Sequence, residues 1–401
     1  MAASKYAIIG CGVTELGHVD QERSVLQLEA EAARLAIEDA GLVRGDIGVA
    51  VQMTSDFSGS VRTRHDDSFA RVLGLPVNLY MENVGRGGEY ATLAIMFGMK
   101  ALDLGLADYV VAAGARDDWS RSRRVKRLGG RGTGQLHMPK EGAWGKPNGS
   151  VTAASFHSLL ATRHMSVYGT THRQLGSVAV AQRAWANMNP QATMYEKRLT
   201  IDDYEAAPFI VWPYRIFDFS QQSDGGVAFV LTTADRALGS AHPLFVRGIG
   251  FGEQMAEQWW NKENYASLPV ATARDAALRQ AGIQLTDLDF AQLYDCFTAE
   301  VIIQLEDYGW CEKGEGGAFV DEGHTTADGE IPVNTGGGLL SAYHLGNLTG
   351  LVEAVTQLRG EAGDRQLPGA TIGLVSGHGG EVVSGGMCSI HSSLILSNDQ
   401  G

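Results

Sequence analysis

The feature that most restricts how this 401-residue chain can fold is that part of it is written twice. Ala40-Gly41-Leu42 followed by Asp46-Ile47 returns as Ala281-Gly282-Ile283 followed by Asp287-Leu288, about 240 residues later and in the same order of helix before and strand after. In the first copy, Ser24-x-x-Gln27 has the form of a capping box, which satisfies the free N–H groups at a helix start. The helix behind it gathers Leu28, Ala32, Leu35 and Ala36 on one face and stops at Gly41, since glycine takes up the left-handed backbone that ends a helix. Ile47 to Val51 then reads as a buried strand.

A second pair of segments repeats the pattern. The strand Tyr109 to Ala113 ending in Gly114 parallels Thr371 to Val375 ending in Ser376-Gly377, and each follows a long helix, Tyr90 to Leu104 and Leu348 to Leu358. Strands alternate with helices along the whole length, so the chain is expected to be an α/β protein of two related halves, residues 1–240 and 241–401. The first half carries an insertion over residues 117–216, with one clear helix opened by Thr171-x-x-Gln174 and closed at Asn187-Met188-Asn189-Pro190. Insertions of this length on a repeated scaffold commonly build pockets and partner contacts. Gly145 to Gly149 and Gly314 to Gly317 read as mobile loops.

A net charge of −14 opposes the phosphate-neutralising surface that nucleic-acid binding requires. The exception is local: Arg116, Arg121, Arg123, Arg124, Lys126, Arg127 and Arg131 form a basic island. It suits the phosphates of a nucleotide-bearing substrate, and equally a solvated loop or a contact with an acidic partner. Cys11, Cys296, Cys311 and Cys388 are far apart and include no C-x-x-C pair, so reduced thiols of a cytoplasmic protein are expected rather than a disulfide framework or a zinc ribbon. Lys5-Tyr6-Ala7-Ile8-Ile9-Gly10 is too quickly interrupted for a signal sequence, and no stretch approaches the ~18 apolar residues of a membrane helix.

A family comes into view from six glycine-rich pieces in order: Ala7-Ile8-Ile9-Gly10-Cys11-Gly12, Asn83-Val84-Gly85-Arg86-Gly87-Gly88, Ser223-Asp224-Gly225-Gly226, Tyr294-Asp295-Cys296-Phe297-Thr298, Asn334-Thr335-Gly336-Gly337-Gly338 leading to Tyr343-His344-Leu345-Gly346, and Ser376-Gly377-His378-Gly379-Gly380. Over essentially its whole length the chain resembles the thiolase superfamily, in the sterol-carrier-protein X thiolase-like or lipid-transfer-protein branch. The resemblance implies a duplicated five-layered αβαβα thiolase fold with an inserted loop region, a homodimer core, and coenzyme A thioesters as substrates, with no intrinsic cofactor.

The departures from that family carry the functional reading. Where thiolases place a nucleophilic cysteine at the head of a buried helix, this chain has Gly85, which has no side chain to acylate. Cys11 is too early in the pattern to replace it. Tyr294 stands where the branch usually has histidine, and Tyr343 precedes the histidine that matches the family's catalytic one, His344. This combination is similar to the steroid side-chain aldolases of the lipid-transfer-protein type. It implies retro-aldol cleavage of a β-hydroxyacyl-CoA to a ketone and a short acyl-CoA such as propionyl-CoA, alongside a small OB-fold partner that carries a zinc ribbon. In this reading Tyr294 or Tyr343 takes the hydroxyl proton and His344 holds the thioester oxygen. Gly85, Asp295 and His378 are candidates for the substrate pocket. Read without the family, Tyr294 is a strand-end aromatic, Cys296 a small buried hydrophobe and His378 a satisfied loop histidine. An acyltransferase or thiolase with another nucleophile, and a non-catalytic acyl-CoA or lipid carrier, are the competing expectations.

Overall fold

The computed structural model describes residues 3–19, 23–55, 68–85, 87–127, 153–254, 266–379 and 389–401. Arg86, Arg131, the Gly145 to Gly149 loop, Gly380 and Cys388 lie outside the described residues.

The repeated sequence becomes repeated geometry. In the first copy the Gln27 N–H donates to Ser24 Oγ at 3.2 Å and the Ser24 N–H donates to Gln27 Oε1 at 2.9 Å, opening the helix Val25–Asp39. Gly41 closes it at φ +69°, and Gly282 closes the second-half helix Val270–Ala281 at φ +68°. Both chains then fold back in the same way, with Leu42 N–H donating to Ile37 O and Ile283 N–H to Leu278 O. Each enters a short 3-10 turn in which an aspartate caps the backbone, Asp46 accepting from Val43 N–H and Asp287 from Gln284 N–H, both at 2.8 Å.

Eleven strands follow in chain order among the described residues: β1 (Tyr6–Val13), β2 (Val49–Ser55), β3 (Leu79–Gly85), β4 (Val110–Asp117), β5 (Phe209–Val211), β6 (Tyr214–Arg215), β7 (Asp224–Thr233), β8 (Leu244–Glu253), β9 (Phe290–Gln292), β10 (Ile372–Gly379) and β11 (Ile390–Ser397). Strands β5 and β6 form a hairpin, and the other nine form one sheet in the order β3-β2-β4-β7-β1-β8-β11-β10-β9. The first five repeat in the rest: β1 corresponds to β8, β7 to β11, β4 to β10 and β2 to β9. At the place of β3, Val333 makes only an isolated parallel bridge to Ala291. The halves meet where Ala7 pairs with Phe245 and Ile8 with Leu244.

Period-two alternation builds the layers. Ile8, Val49 and Val51 share a core with Ile95 and Leu351 of the helices Tyr90–Asp103 and Leu348–Leu358, whereas Ala7, Ile9 and Ala50 face the helix Val25–Asp39. In the second half Val375, Leu394 and Leu396 enter that same central core, while Leu374 and Ile395 turn away toward Ala277 and Ala281 of Val270–Ala281. The result is helix, first-half strands, paired central helices, second-half strands, helix: the five-layered αβαβα order, its two β layers being the two halves of the one sheet. Glycines let the outer helices approach, since a Cβ on Gly10 would lie 2.2 Å from Ala36 O and one on Gly248 2.1 Å from Ala277 O.

Two expectations are corrected. The described part of the insertion is mostly helical rather than loop, with Ala153–Tyr168, His172–Ala186 and Ile201–Ala206 where one helix was expected. Phe156, Leu160, Leu175 and Val178 give the physical reason, because they are buried in one core with Ile302 and Leu339 of the second half. Gly316 and Gly317 likewise do not belong to a loose loop: they are buried at the start of the helix Gly316–Asp321, where a Cβ on Gly317 would meet the Gln174 side chain at 2.8 Å. No helix among the described residues is long and apolar enough to cross a membrane.

Candidate active site

Tyr294 lies two residues beyond β9, on the approach to the helix Thr298–Tyr308. Both of its backbone polar groups are held by one side-chain chain: its N–H donates to Ser376 Oγ at 2.9 Å, Ser376 Oγ donates to Gln304 Oε1 at 2.6 Å, and Gln304 Nε2 donates to the Tyr294 carbonyl at 2.7 Å. The phenol ring rests on bare backbone, because a Cβ on Gly88 would lie 2.1 Å from Tyr294 Cε2. That glycine segment is itself fixed, with Gly88 N–H donating to His378 O at 2.7 Å and Gly87 bridged to Gly379. Gly85 is the last residue of β3, in register with Ser55, and opens the short path to the helix Tyr90–Asp103.

Around this phenol three groups converge. Tyr294 Oη is 3.4 Å from His344 Nε2, and His344 Nδ1 is 3.2 Å from Ser220 Oγ. The His344 N–H donates to Ser223 Oγ at 2.9 Å, so the exit of the insertion orients this histidine at both ends. His378 meets the Tyr294 ring edge-on with centroids 4.7 Å apart, and its Nε2 is 3.5 Å from Cys296 Sγ. Burial and the Arg116 cation hold His344 well below the ordinary histidine range, which leaves a neutral imidazole at neutral pH. Arg116, next to last in β4, is buried rather than displayed on a basic surface. It hydrogen-bonds Tyr90, reaches Asp118 at 3.3 Å, and lies within electrostatic range of Tyr294.

Asp295 lies beside the group and faces away from it. Its carboxylate accepts the Leu339 N–H at 2.9 Å and the Leu340 N–H at 3.1 Å, anchoring the turn Gly338–Ala342 that leads to His344, and burial pushes it up to about 7. Tyr343 is separated from His344 by backbone geometry. At φ −158° and ψ 156° the chain is extended, so successive side chains leave on opposite sides. Tyr343 enters the central core, where Glu353, Arg365 and Cys11 are its charged and titratable neighbours, and burial raises its phenol above the ordinary tyrosine value. It shares with Tyr294 only the wall of a small internal cavity also lined by Asn334 and Ser376.

The remaining candidates sort by environment. Burial pushes the Cys11 thiol up to about 12, so it is no thiolate source. His157, Cys296 and Glu300 bring possible metal donors within 4.8 Å of one another, and His157 Nδ1 and Glu300 Oε1 are already hydrogen-bonded together. Part of the basic island is paired along the helix Asp118–Arg127: Arg121 pairs with Asp117 and Asp118, Arg124 pairs with Asp117, and Arg123 stacks over Trp119. Sequence reasoning missed Ser220, Ser223 and Tyr90, and it placed Arg116 on the surface. The one available signal was that Arg116 continues the small, apolar run Val110 to Ala115.

Known proteins resemble this chain over most of its length. A steroid side-chain-cleaving aldolase of Thermomonospora curvata is 33% identical over 359 residues, covering 88% of this chain and 90% of that protein. The chain belongs to the thiolase superfamily, in the branch of these thiolase-fold carbon–carbon lyases. A second member of the branch, the 17-hydroxy-3-oxo-4-pregnene-20-carboxyl-CoA lyase of Mycobacterium tuberculosis, is 32% identical over 372 residues, covering 90% and 93% of the two chains. The thiolase C-terminal domain-like family matches residues 253–398. Among solved thiolase-fold structures, the Ltp2-ChsH2(DUF35) aldolase superposes with a TM-score of 0.85 at 29% identity, covering 99% of this chain and 98% of that one.

Proposed function

We propose that this protein cleaves the Cα–Cβ bond of a β-hydroxyacyl-CoA whose β carbon belongs to a steroid or bile-acid side chain, releasing a ketone and a short acyl-CoA such as propionyl-CoA. One observation carries the reading: a phenol is seated on glycine backbone and 3.4 Å from a neutral imidazole, in a chain whose nucleophile position is the glycine Gly85. Such a pair moves protons and forms no acyl-enzyme.

The chemistry balances within the site. Tyr294 Oη, as phenolate, takes the proton of the substrate hydroxyl; the oxygen lone pair becomes the ketone π bond as the Cα–Cβ pair moves into the thioester, giving an enolate. With the Ser220 hydroxyl donating to Nδ1, His344 carries its hydrogen on Nε2 and turns it toward the developing enolate oxygen. The tyrosine then returns the same proton to the α carbon. No electrons enter or leave, so neither oxidant nor reductant is required. The relatives named above act on a steroid side chain and on a steroid carboxyl-CoA, and the solved aldolase pairs its thiolase-like chain with a DUF35 protein. We accordingly assign this chain a homodimeric core and a DUF35-type partner of OB-fold and zinc-ribbon build, with any zinc held by the partner.

The test is incubation of the purified chain, alone and with such a partner, with a tertiary β-hydroxyacyl-CoA, following ketone and acyl-CoA together. Equal amounts of both products are expected, with no labelled acyl group retained on the protein. Retained label would move the assignment to acyl transfer, for which Cys296 beside His378 is the available nucleophile. Tight binding of the acyl-CoA without turnover, under every partner condition, would identify a carrier.

A further inference from the structure

A phenol has an ordinary pKa of about 10 and is almost wholly protonated at neutral pH, so a site that uses its phenolate as a base gains from a cation beside it. From β4 comes Arg116, which acts on both Tyr294 and His344, with Asp118, Tyr90 and Glu89 ranged behind it; from β10 comes His378 against the Tyr294 ring, and Asp295 and Cys296 follow Tyr294 on its own segment. Arg116 is the permanent cation among them. Its position is built on three sides. Its backbone is locked in β4 opposite Gly225, its guanidinium contacts Asp118 at 3.3 Å, and it hydrogen-bonds Tyr90. Tyr90 in turn donates its hydroxyl to the carbonyl of Leu345, the residue after His344. A Cβ on Gly346 would lie 2.4 Å from the Tyr90 ring, so this phenol is wedged against the segment that bears the imidazole.

We propose that Arg116 is the positioning residue that sets the division of charge in the site, stabilising a negative Tyr294 oxygen while keeping a second positive charge off His344. This deepens the aldolase reading and rests on Tyr294 being the proton acceptor. Asp118 acts as the counterweight, because it offsets part of the guanidinium charge. The assignment separates Arg116 from Arg121, Arg123 and Arg124 of the basic island, whose partners lie along the following helix.

The test reads the phenol directly and needs no substrate. Protein labelled with ¹³Cζ-tyrosine is titrated by NMR, with the Tyr294 signal identified by its loss in Tyr294→Phe. Arg116→Gln is expected to move the Tyr294 transition to higher pH by about one unit, leaving about tenfold less phenolate at a given pH. Arg116→Lys should restore most of that shift. Asp118→Asn should move the transition the opposite way, and it keeps the proposal testable if Arg116→Gln does not fold. In turnover, Arg116→Gln should lower kcat about tenfold with little change in KM, and raising the pH should recover the loss. An unmoved Tyr294 signal in Arg116→Gln, or in Asp118→Asn should that be the folded variant, overturns the proposal. A moved signal in a protein that cleaves no β-hydroxyacyl-CoA would leave Arg116 in this role and remove the aldolase reading; cleavage with an unmoved signal would do the reverse.

Discussion

At the end of β3 the first half passes through Gly85, Gly87 and Gly88 into the helix Tyr90–Asp103; at the corresponding place the second half passes through Tyr343, His344 and Gly346 into Leu348–Leu358. The scaffolds match in their helix stops, aspartate caps and glycine contacts. The entries differ in chemistry: one offers bare backbone, and the other an imidazole. They also meet, with Asn347 at the second entry accepting the Ala91 N–H of the first helix at 3.0 Å and donating to Thr92 Oγ1 at 3.0 Å. Duplication has therefore kept a frame in both halves and left each free to lose or gain a side chain. The first half offers glycine backbone at Gly88, and that backbone seats a phenol from the second.

The most severe challenge to that division is Tyr294→Phe, for which kcat should fall by about 10²- to 10⁴-fold with the thermal midpoint nearly unchanged. Product formation from a tertiary β-hydroxyacyl-CoA is the measurement, and activity within tenfold of the parent would break the comparison. Next is Gly88→Ala. Its methyl would occupy the place of the Tyr294 ring, so turnover should drop about 100-fold, as a displacement of about 1 Å does elsewhere. Folding should persist by circular dichroism.

The scaffold itself is sharpened by a matched pair. Gly10→Ala and Gly248→Ala press a methyl group against helix carbonyls at 2.2 and 2.1 Å, and each should destabilise by about 1–3 kcal/mol in denaturant unfolding. A large loss at one site and none at the other would show that the halves are packed differently. The pH profile gives a milder test. Neutral His344 is present above its lowered pKa and lost as pH falls through it, so its protonation should add a second fall of kcat/KM below pH ~6.5, beneath the dependence that the Tyr294 phenolate imposes at higher pH. A limb centred near 7 would pass the role to Asp295, which burial brings to about 7. Tyr343→Phe should do least, under about tenfold in kcat, because that side chain leaves the strand away from His344.

The frame was legible because its signals are local. Gly41, Gly282 and the two capping aspartates act within a few residues of themselves, and the helix Leu348–Leu358 has the bounds its apolar pattern gives it. Tyr294 and His344 stood out as side chains in unexpected places within an ordered set of glycine motifs. What failed depended on contacts far along the chain. Tyr343 and His344 are neighbours in sequence, yet an extended backbone parts them. Arg116 looked like one of seven exposed cations until β4 buried it. The helix Ala153–Tyr168 was missed because its apolar residues match a core supplied by residues about 140 positions later, which no short window contains.

The carboxylate beside Tyr294 grips two peptide groups within the turn that leads to His344, and that clasp ties the segment of the phenol to the segment of the imidazole. Breathing of the surrounding helices to admit a rigid, bulky ring system would carry both along, their spacing kept. On the aldolase reading proposed above, an incoming thioester would meet its reactive partners already assembled, leaving its own contact energy free to bend the doomed bond toward rupture.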